Sequence, residues 1–291
     1  MNENHLYVAG TTWSRGSDGE YTELVKYSLN GAEIALESAA KVVGIVNDQF
    51  SLDEKDGNLR IATTSYDGNK NINNLFVLDE HLEEIGRVTG FAEDEHIKAV
   101  RYIGDTAYVI TYVQTDPLFV IDLSNPAKPV ITGEVKIDGF SSSLTPVDEN
   151  TLLGIGYGTY TYEYEGEEFT TAGGVKLALF DISDNSNPQV LDEFTVADSY
   201  SAAQETHKAI VHNTDKEYYA IPLIVEDYNY YYYNRQDNPY ASGALVIRVQ
   251  DGKISADNLK ADVSAERCTY IDDYLYVLSD DTTDIYSFEV Q

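Results

Sequence analysis

The sequence predicts an all-β chain, a β-propeller of about six four-stranded blades that is incomplete at its termini, and three observations carry that prediction. Apolar and polar residues alternate at period two along most of the chain, with Gly, Asn, Asp and Pro between the runs; only Ala35 to Val43 hints at a helical period. The phrase Leu118-Phe-Val-Ile-Asp-Leu-Ser-Asn-Pro-Ala-Lys-Pro129, running on through Val130-Ile-Thr-Gly-Glu-Val135, reads as strand, turn and strand. It recurs with a small insertion in Leu177-Ala-Leu-Phe-Asp-Ile-Ser-Asp-Asn-Ser-Asn-Pro188, and its first half recurs in Leu75-Phe-Val-Leu-Asp79. Finally, one type of strand returns six times at a period of roughly 50 residues, in the range of propeller blades: Leu6 to Gly10, Leu59 to Thr64, Ala107 to Tyr112, Leu152 to Tyr157, Tyr218 to Leu223 and Leu275 to Ser279.

Each copy fits a frame of four strands, a to d. In the third, Ile97 to Ile103 is strand a, a Gly104-Asp105 turn leads to strand b, Leu118 to Leu123 is strand c and Ile131 to Ile137 is strand d. The a-to-b turns repeat hairpin chemistry in Asp56-Gly57, Gly104-Asp105, Glu149-Asn150, Asp215-Lys216 and Asp272-Asp273. The frame divides a single domain into blades at 1–46, 47–94, 95–139, 140–200, 201–263 and 264–291. The first copy opens at strand b and the last closes at strand c, so the chain is expected either to be a segment of a longer protein, with further blades or a flanking domain, or to close in an unusual way.

Composition excludes some functions. Of 291 residues, 50 are Asp or Glu and 19 are Lys or Arg, a formal charge of -31. Phosphate backbones and anionic lipid repel such a polyanion, so nucleic-acid and membrane-surface partners are not expected. No apolar run is long enough to span a bilayer, and the start, Met-Asn-Glu-Asn-His5, lacks the pattern of a signal peptide. Cys268 is the only cysteine and is expected to be a buried free thiol.

Several segments resemble one family of secreted proteins with a C-terminal β-propeller distantly related to WD40 repeats. They are Gln49 to Glu54 with Leu59 to Thr64, Val100 to Asp105 with Gln114 to Pro117, Val147 to Asn150 with Leu153 to Gly156, His207 to Ala209, and Tyr270 to Tyr276. The phrase from Asp116 to Pro126 also resembles a short surface-protein repeat with a Leu-Val-Ile-Val-Asp core. The resemblance implies a propeller and an extracellular or cell-surface location, and it brings no catalytic residues. Two departures from the family are expected: its further N-terminal blades are not recognised in this sequence, and Thr145 stands where a His is usual.

Propeller geometry sends the b-to-c and d-to-a connections to one face. Long inserts lie in the b-to-c positions, at 11–22, 65–73, 159–173 and 226–242, and long loops on a rigid scaffold are where binding resides. They are rich in tyrosine. Trp13 opens the first, Tyr66 lies in the second, Tyr160, Tyr162 and Tyr164 alternate with Glu163 and Glu165 in the third, and Tyr230 and Tyr232 belong to the fourth, which holds six of the 24 tyrosines. Rigid aromatic area with a polar tip suits a glycan or a protein ligand. The competing reading extends strands b and c into a ribbon whose aromatics pack on one another. A second candidate is the channel mouth, where Lys98, His207, Lys208 and Arg267 gather positive charge suited to a carboxylate; the alternative is pairing with neighbours such as Glu205 and Glu266.

Metal and catalytic signals are weaker. His207 and His212, read on one strand, fall on opposite faces. The acidic turns Asp53 to Gly57 and Asp280 to Asp284 lack calcium-loop spacing, so Ca2+ is an unspecific option, no cofactor is assigned and the metal content stays open. Gly154-Ile-Gly-Tyr-Gly158 has no helix after it to hold a phosphate. The expectation is a non-enzymatic binding propeller. Its rivals are a glycan hydrolase or lyase at the channel mouth, and a structural module of a larger surface protein.

Overall fold

The computed structural model describes all residues except 1, 14–18, 113–114, 165–166, 226–238, 262–263, 280–282 and 288–291, and describes side chains for these apart from 13, 115–116, 160–164, 167–172 and 287. Six antiparallel sheets follow one another in chain order, with no α-helix among the described residues. The first holds β1 (His5–Trp13), β2 (Glu20–Asn30) and β3 (Glu33–Val43); the second β4 (Leu52–Lys55), β5 (Asn58–Tyr66), β6 (Asn71–Leu78) and β7 (Glu84–Phe91). The third holds β8 (His96–Ile103), β9 (Thr106–Tyr112), β10 (Thr115–Asp122) and β11 (Val130–Asp138); the fourth β12 (Phe140–Pro146), β13 (Thr151–Tyr164), β14 (Glu167–Asp181) and β15 (Gln189–Val196). In the fifth, β16 (Ser199–Tyr200) and β17 (Val211–Asn213) precede β18 (Tyr218–Val225), β19 (Gly243–Gln250) and β20 (Lys253–Lys260). The sixth holds β21 (Arg267–Ile271), β22 (Tyr274–Leu278) and β23 (Thr283–Ser287). The all-β expectation holds. The hint of a helix near Ala35 is overturned, because that stretch pairs with β2 along β3.

Two compact units divide the chain: Met1–Lys136 with Asn185–Asn187, and Ile137–Asp184 with Pro188–Gln291. Within the first, Leu24 and Val42 pack on Leu59, Ile61, Phe76 and Leu78, while Leu75 and Val77 pack on Val109, Phe119 and Ile121. Alternate residues of one strand point to opposite faces, so a sheet buried on both sides needs a continuous apolar run, and Leu75-Phe-Val-Leu78 is one. The second unit repeats this. Leu153, Ile155 and Leu177 meet Ile221, Leu245 and Ile247, and Ala220, Ala244 and Val246 meet Cys268, Leu275 and Val277.

The turns explain the register. Asp56 and Gly57 both have positive φ, 52° and 81°, as a two-residue hairpin turn matching the strand twist requires. The c-to-d turns of the second to fifth sheets do something the sequence does not announce: each reaches the sheet before its own. Lys26 donates to the carbonyl of Glu80 at 3.0 Å. The Pro126 carbonyl and Ala127 lie against Gly86 of β7 so closely that a Cβ there would collide with them. Asn185, the tip that belongs to the first unit, accepts from the Tyr108 hydroxyl at 2.8 Å and donates to Thr106 Oγ1 at 3.1 Å. In the second unit, Asp192 on β15 accepts from Lys253 at 3.1 Å and from the Ile254 amide at 2.8 Å.

Two of the expected inserts take regular form. The 65–73 connection shrinks to Asp67-Gly68-Asn69-Lys70, where the Asp67 carboxylate accepts from the amides of Asn69 and Lys70 at 2.8 and 2.9 Å and so closes the turn without a long loop. The 159–173 insert is a ribbon: β13 and β14 stay paired from Gly158 opposite Gly173 to Tyr164 opposite Glu167, with Tyr162 opposite Phe169. Its backbone is therefore the strand extension that the competing reading described.

Candidate functional site

The fifth sheet breaks the pattern on its inner strand. β16 pairs Tyr200 with Ile224 and β17 pairs Val211 with Ala220, but residues 201–210 leave the sheet between them. Opposite the gap stands Pro222, which has no N–H to offer an inner neighbour. The excursion consists of two 3-10 turns, Ala202–Gln204 and His207–Ala209. Each begins on a capping hydroxyl: the Ala203 amide donates to Ser201 Oγ at 3.2 Å and the Lys208 amide to Thr206 Oγ1 at 3.3 Å.

Gln204 fixes the excursion in place. Its side-chain oxygen accepts from the Ser201 amide at 2.7 Å, and its nitrogen donates to the carbonyls of Gly156 and Gly174 at 2.9 and 3.0 Å. Only 3% of its surface is exposed, so these bonds are shielded from water. The next residue, Glu205, is thereby held beside the fourth sheet. Its carboxylate accepts a hydrogen bond from the Tyr157 hydroxyl.

Tyr157 lies opposite Phe140 in the β12–β13 register, and their rings stack with centroids 4.8 Å apart and planes inclined by 27°. Burial pushes the Tyr157 hydroxyl well above its ordinary pKa, and the hydrogen bond to Glu205 and that residue's charge push it further. Tyr157 is therefore a proton donor across the neutral range. Tyr200 ends β16 just before the excursion; burial and Glu205 raise its pKa, while Arg267 lowers it. Arg267 opens β21 and donates to the Glu266 carbonyl at 3.1 Å. Phe140, Tyr157, Tyr200 and Glu205 thus come from separate segments and gather near the starts of β12 and β16, with Arg267 near enough for its charge to act on Tyr200. The rim combines an aromatic pair, an anchored carboxylate and a guanidinium. Among the described residues no group of three or more His, Cys, Asp or Glu is placed to hold a metal ion.

The residues singled out from sequence divide between the units. In the first, Trp13 ends β1 opposite Glu20, Tyr66 ends β5 and is 51% exposed, and Lys98 lies on β8 with its carbonyl accepting from Asn47 at 2.9 Å. In the second, Tyr160, Tyr162 and Tyr164 occupy the ribbon, His207 and Lys208 lie in the excursion beside Glu205, and Arg267 joins the rim. Tyr230 and Tyr232 lie outside the described residues. One placement is corrected: His207 and His212 do not share a strand, because His207 sits in a 3-10 turn and His212 on β17, stacked on Tyr219 at 4.3 Å. The surroundings of His212 hold its imidazole below the usual pKa through loss of hydration.

Sequence reasoning missed Phe140, Tyr157 and Tyr200, and took Glu205 only as a partner for nearby cations. The missed signal was Ser201-Ala-Ala-Gln204, one of two capping boxes among the described residues, the other being Asp48 to Ser51.

The family described as Beta propeller domain matches residues 1–290. An uncharacterized protein of Archaeoglobus fulgidus is 38% identical over 267 residues, covering 92% of this chain and 37% of its own length. An uncharacterized protein of Methanocaldococcus jannaschii is 35% identical over 266 residues, covering 89% and 37%. The chain thus spans little more than a third of each relative. Among solved structures, a chain of the mitotic checkpoint complex aligns over 97% of this chain and 75% of its own at 9% identity and a TM-score of 0.48. An apocarotenoid oxygenase of Synechocystis aligns over 96% and 66% at 9% identity and a TM-score of 0.39.

Proposed function

We propose that this chain, which belongs to the beta-propeller domain family, acts by recognition and not by catalysis, binding a glycan or a protein at the cell surface or outside the cell. The observation that carries this reading is the break in the inner strand of the fifth sheet. It removes ladder pairing from β18 and uses a buried glutamine to hold a carboxylate, a phenol and aromatic faces at one rim. A repeat element that gives up regular pairing for a fixed polar and aromatic cluster is more readily explained by a ligand than by stability. The adjoining β13–β14 ribbon would enlarge the contact area.

The test is binding of the intact chain to arrays of glycans and surface-extract proteins, alongside the double variant Tyr157→Ala, Tyr200→Ala. Binding should fall at least tenfold, with far-UV circular dichroism unchanged. Undiminished binding rejects the reading. Release of product from any bound glycan by the wild type replaces it with the enzymatic one.

A further inference from the structure

We infer that the rim selects an uncharged sugar ring and that Glu205 is the residue that recognises it; the inference rests on the reading of the rim as a binding site. Three observations on the rim narrow the ligand. The stacked rings of Phe140 and Tyr157 are half-buried and give the apolar platform on which the C–H face of a pyranose packs. Glu205 is exposed, and an ionised carboxylate offers about four acceptor sites, of which the Tyr157 hydroxyl takes one. Adjacent hydroxyls of a sugar match the remaining acceptor capacity, with the extra strength of a charged acceptor. Arg267 supplies donors on the same rim, where its charge acts on Tyr200.

The mixture of charges decides against ionic ligands. An acidic glycan meets Glu205 and a chain of net charge -31. A basic peptide is favoured by that field but meets Arg267 beside Tyr200. A neutral polyhydroxyl ring is the ligand that uses a carboxylate acceptor and a guanidinium donor together without a like-charge contact. The buried bonds of Gln204 fix Glu205 before the ligand arrives, which lowers the ordering cost of binding.

Calorimetric titration of the intact chain with neutral oligosaccharides (glucans, mannans and galactans) and with acidic ones (oligogalacturonates) tests the inference. Neutral ligands should bind and acidic ones should not. Glu205→Gln should weaken neutral binding about tenfold or more, the scale of a charge-assisted hydrogen bond. Tyr157→Phe, which keeps the platform and frees the carboxylate, should weaken it several-fold and serves if Glu205→Gln fails to fold. Binding confined to acidic oligosaccharides overturns the inference, as does neutral binding that neither variant alters. If no glycan binds but a protein ligand is lost in the double variant Tyr157→Ala, Tyr200→Ala, this inference fails and the recognition function stands. If that double variant changes no binding at all, both fail.

Discussion

Gln204 determines the candidate site without touching a ligand. Gln204→Ala would leave the Gly156 and Gly174 carbonyls without their side-chain donor and the Ser201 amide without its acceptor. Stranded buried groups cost about 1–3 kcal/mol, so the variant should lower the urea midpoint and also weaken ligand binding, because Glu205 loses its anchor. Loss of stability with affinity unchanged would show that Gln204 does not position the rim. Cys268 bears on alkaline stability. Burial pushes its thiol up to about 12, whereas an unfolded cysteine ionises near 8.5. The folded state therefore holds this proton more tightly than the unfolded state. The resulting stability is complete at neutral pH and is lost at about 1.4 kcal/mol per pH unit from roughly 8.5 towards 12. Urea titrations at pH 7, 9, 10 and 11 should show a shallower alkaline decline for Cys268→Ala than for the wild type; parallel declines reject the assignment. The sequence already marked Cys268 as buried, because it stands in an apolar alternation. It did not mark Tyr157, whose position on a strand looks like any core tyrosine until residues distant in sequence are brought beside it.

Strands and tight turns were legible because their causes are local. Period-two alternation and residues that accept positive φ, such as Asp56 and Gly57, act within a few positions of one another. The excursion at 201–210 was less legible because its main support, the pair of Gly156 and Gly174 carbonyls, lies in another sheet. The ribbon can be tested apart from the core, since the hydrophobic cluster takes Leu153 and Ile155 from β13 and Val175 and Leu177 from β14, all outside the replaced segment. Replacing residues 159–172 with Asn-Gly joins Gly158 and Gly173, already partners, through a two-residue turn. The melting temperature should stay within a few degrees while binding to any extended ligand falls; a collapse of the fold would make the ribbon part of the core. The c-to-d turns predict a separate effect. Gly86→Ala forces a Cβ into Pro126 and Ala127, so it should destabilise by about 1–3 kcal/mol in urea titration, as overpacking does. No change would mean that the turn moves freely from β7.

At the scale of the chain, 50 acidic against 19 basic residues make self-repulsion the dominant electrostatic effect of folding. Some of the scarce cations tie successive sheets together: Lys55 reaches Asp105, and Lys216 reaches Asp273 at 2.5 Å. Such exposed pairs contribute about 0–1 kcal/mol each, and salt weakens them, but it also screens the far more numerous repulsions. Stability should therefore rise between 10 mM and 0.5 M NaCl. A falling urea midpoint across that range would show that the ties outweigh the repulsion.

The backward reach of the c-to-d turns also gives the array a direction in time. Glu80 serves a lysine of the first sheet, Pro126 covers the second and Asn185 completes the third, so each of these three sheets receives part of its packing from chain made after it. During synthesis from the N-terminus, a sheet that has just emerged remains unfinished until the following hairpin appears. A pause in translation would leave one incomplete sheet at the growing end while those behind it were already sealed.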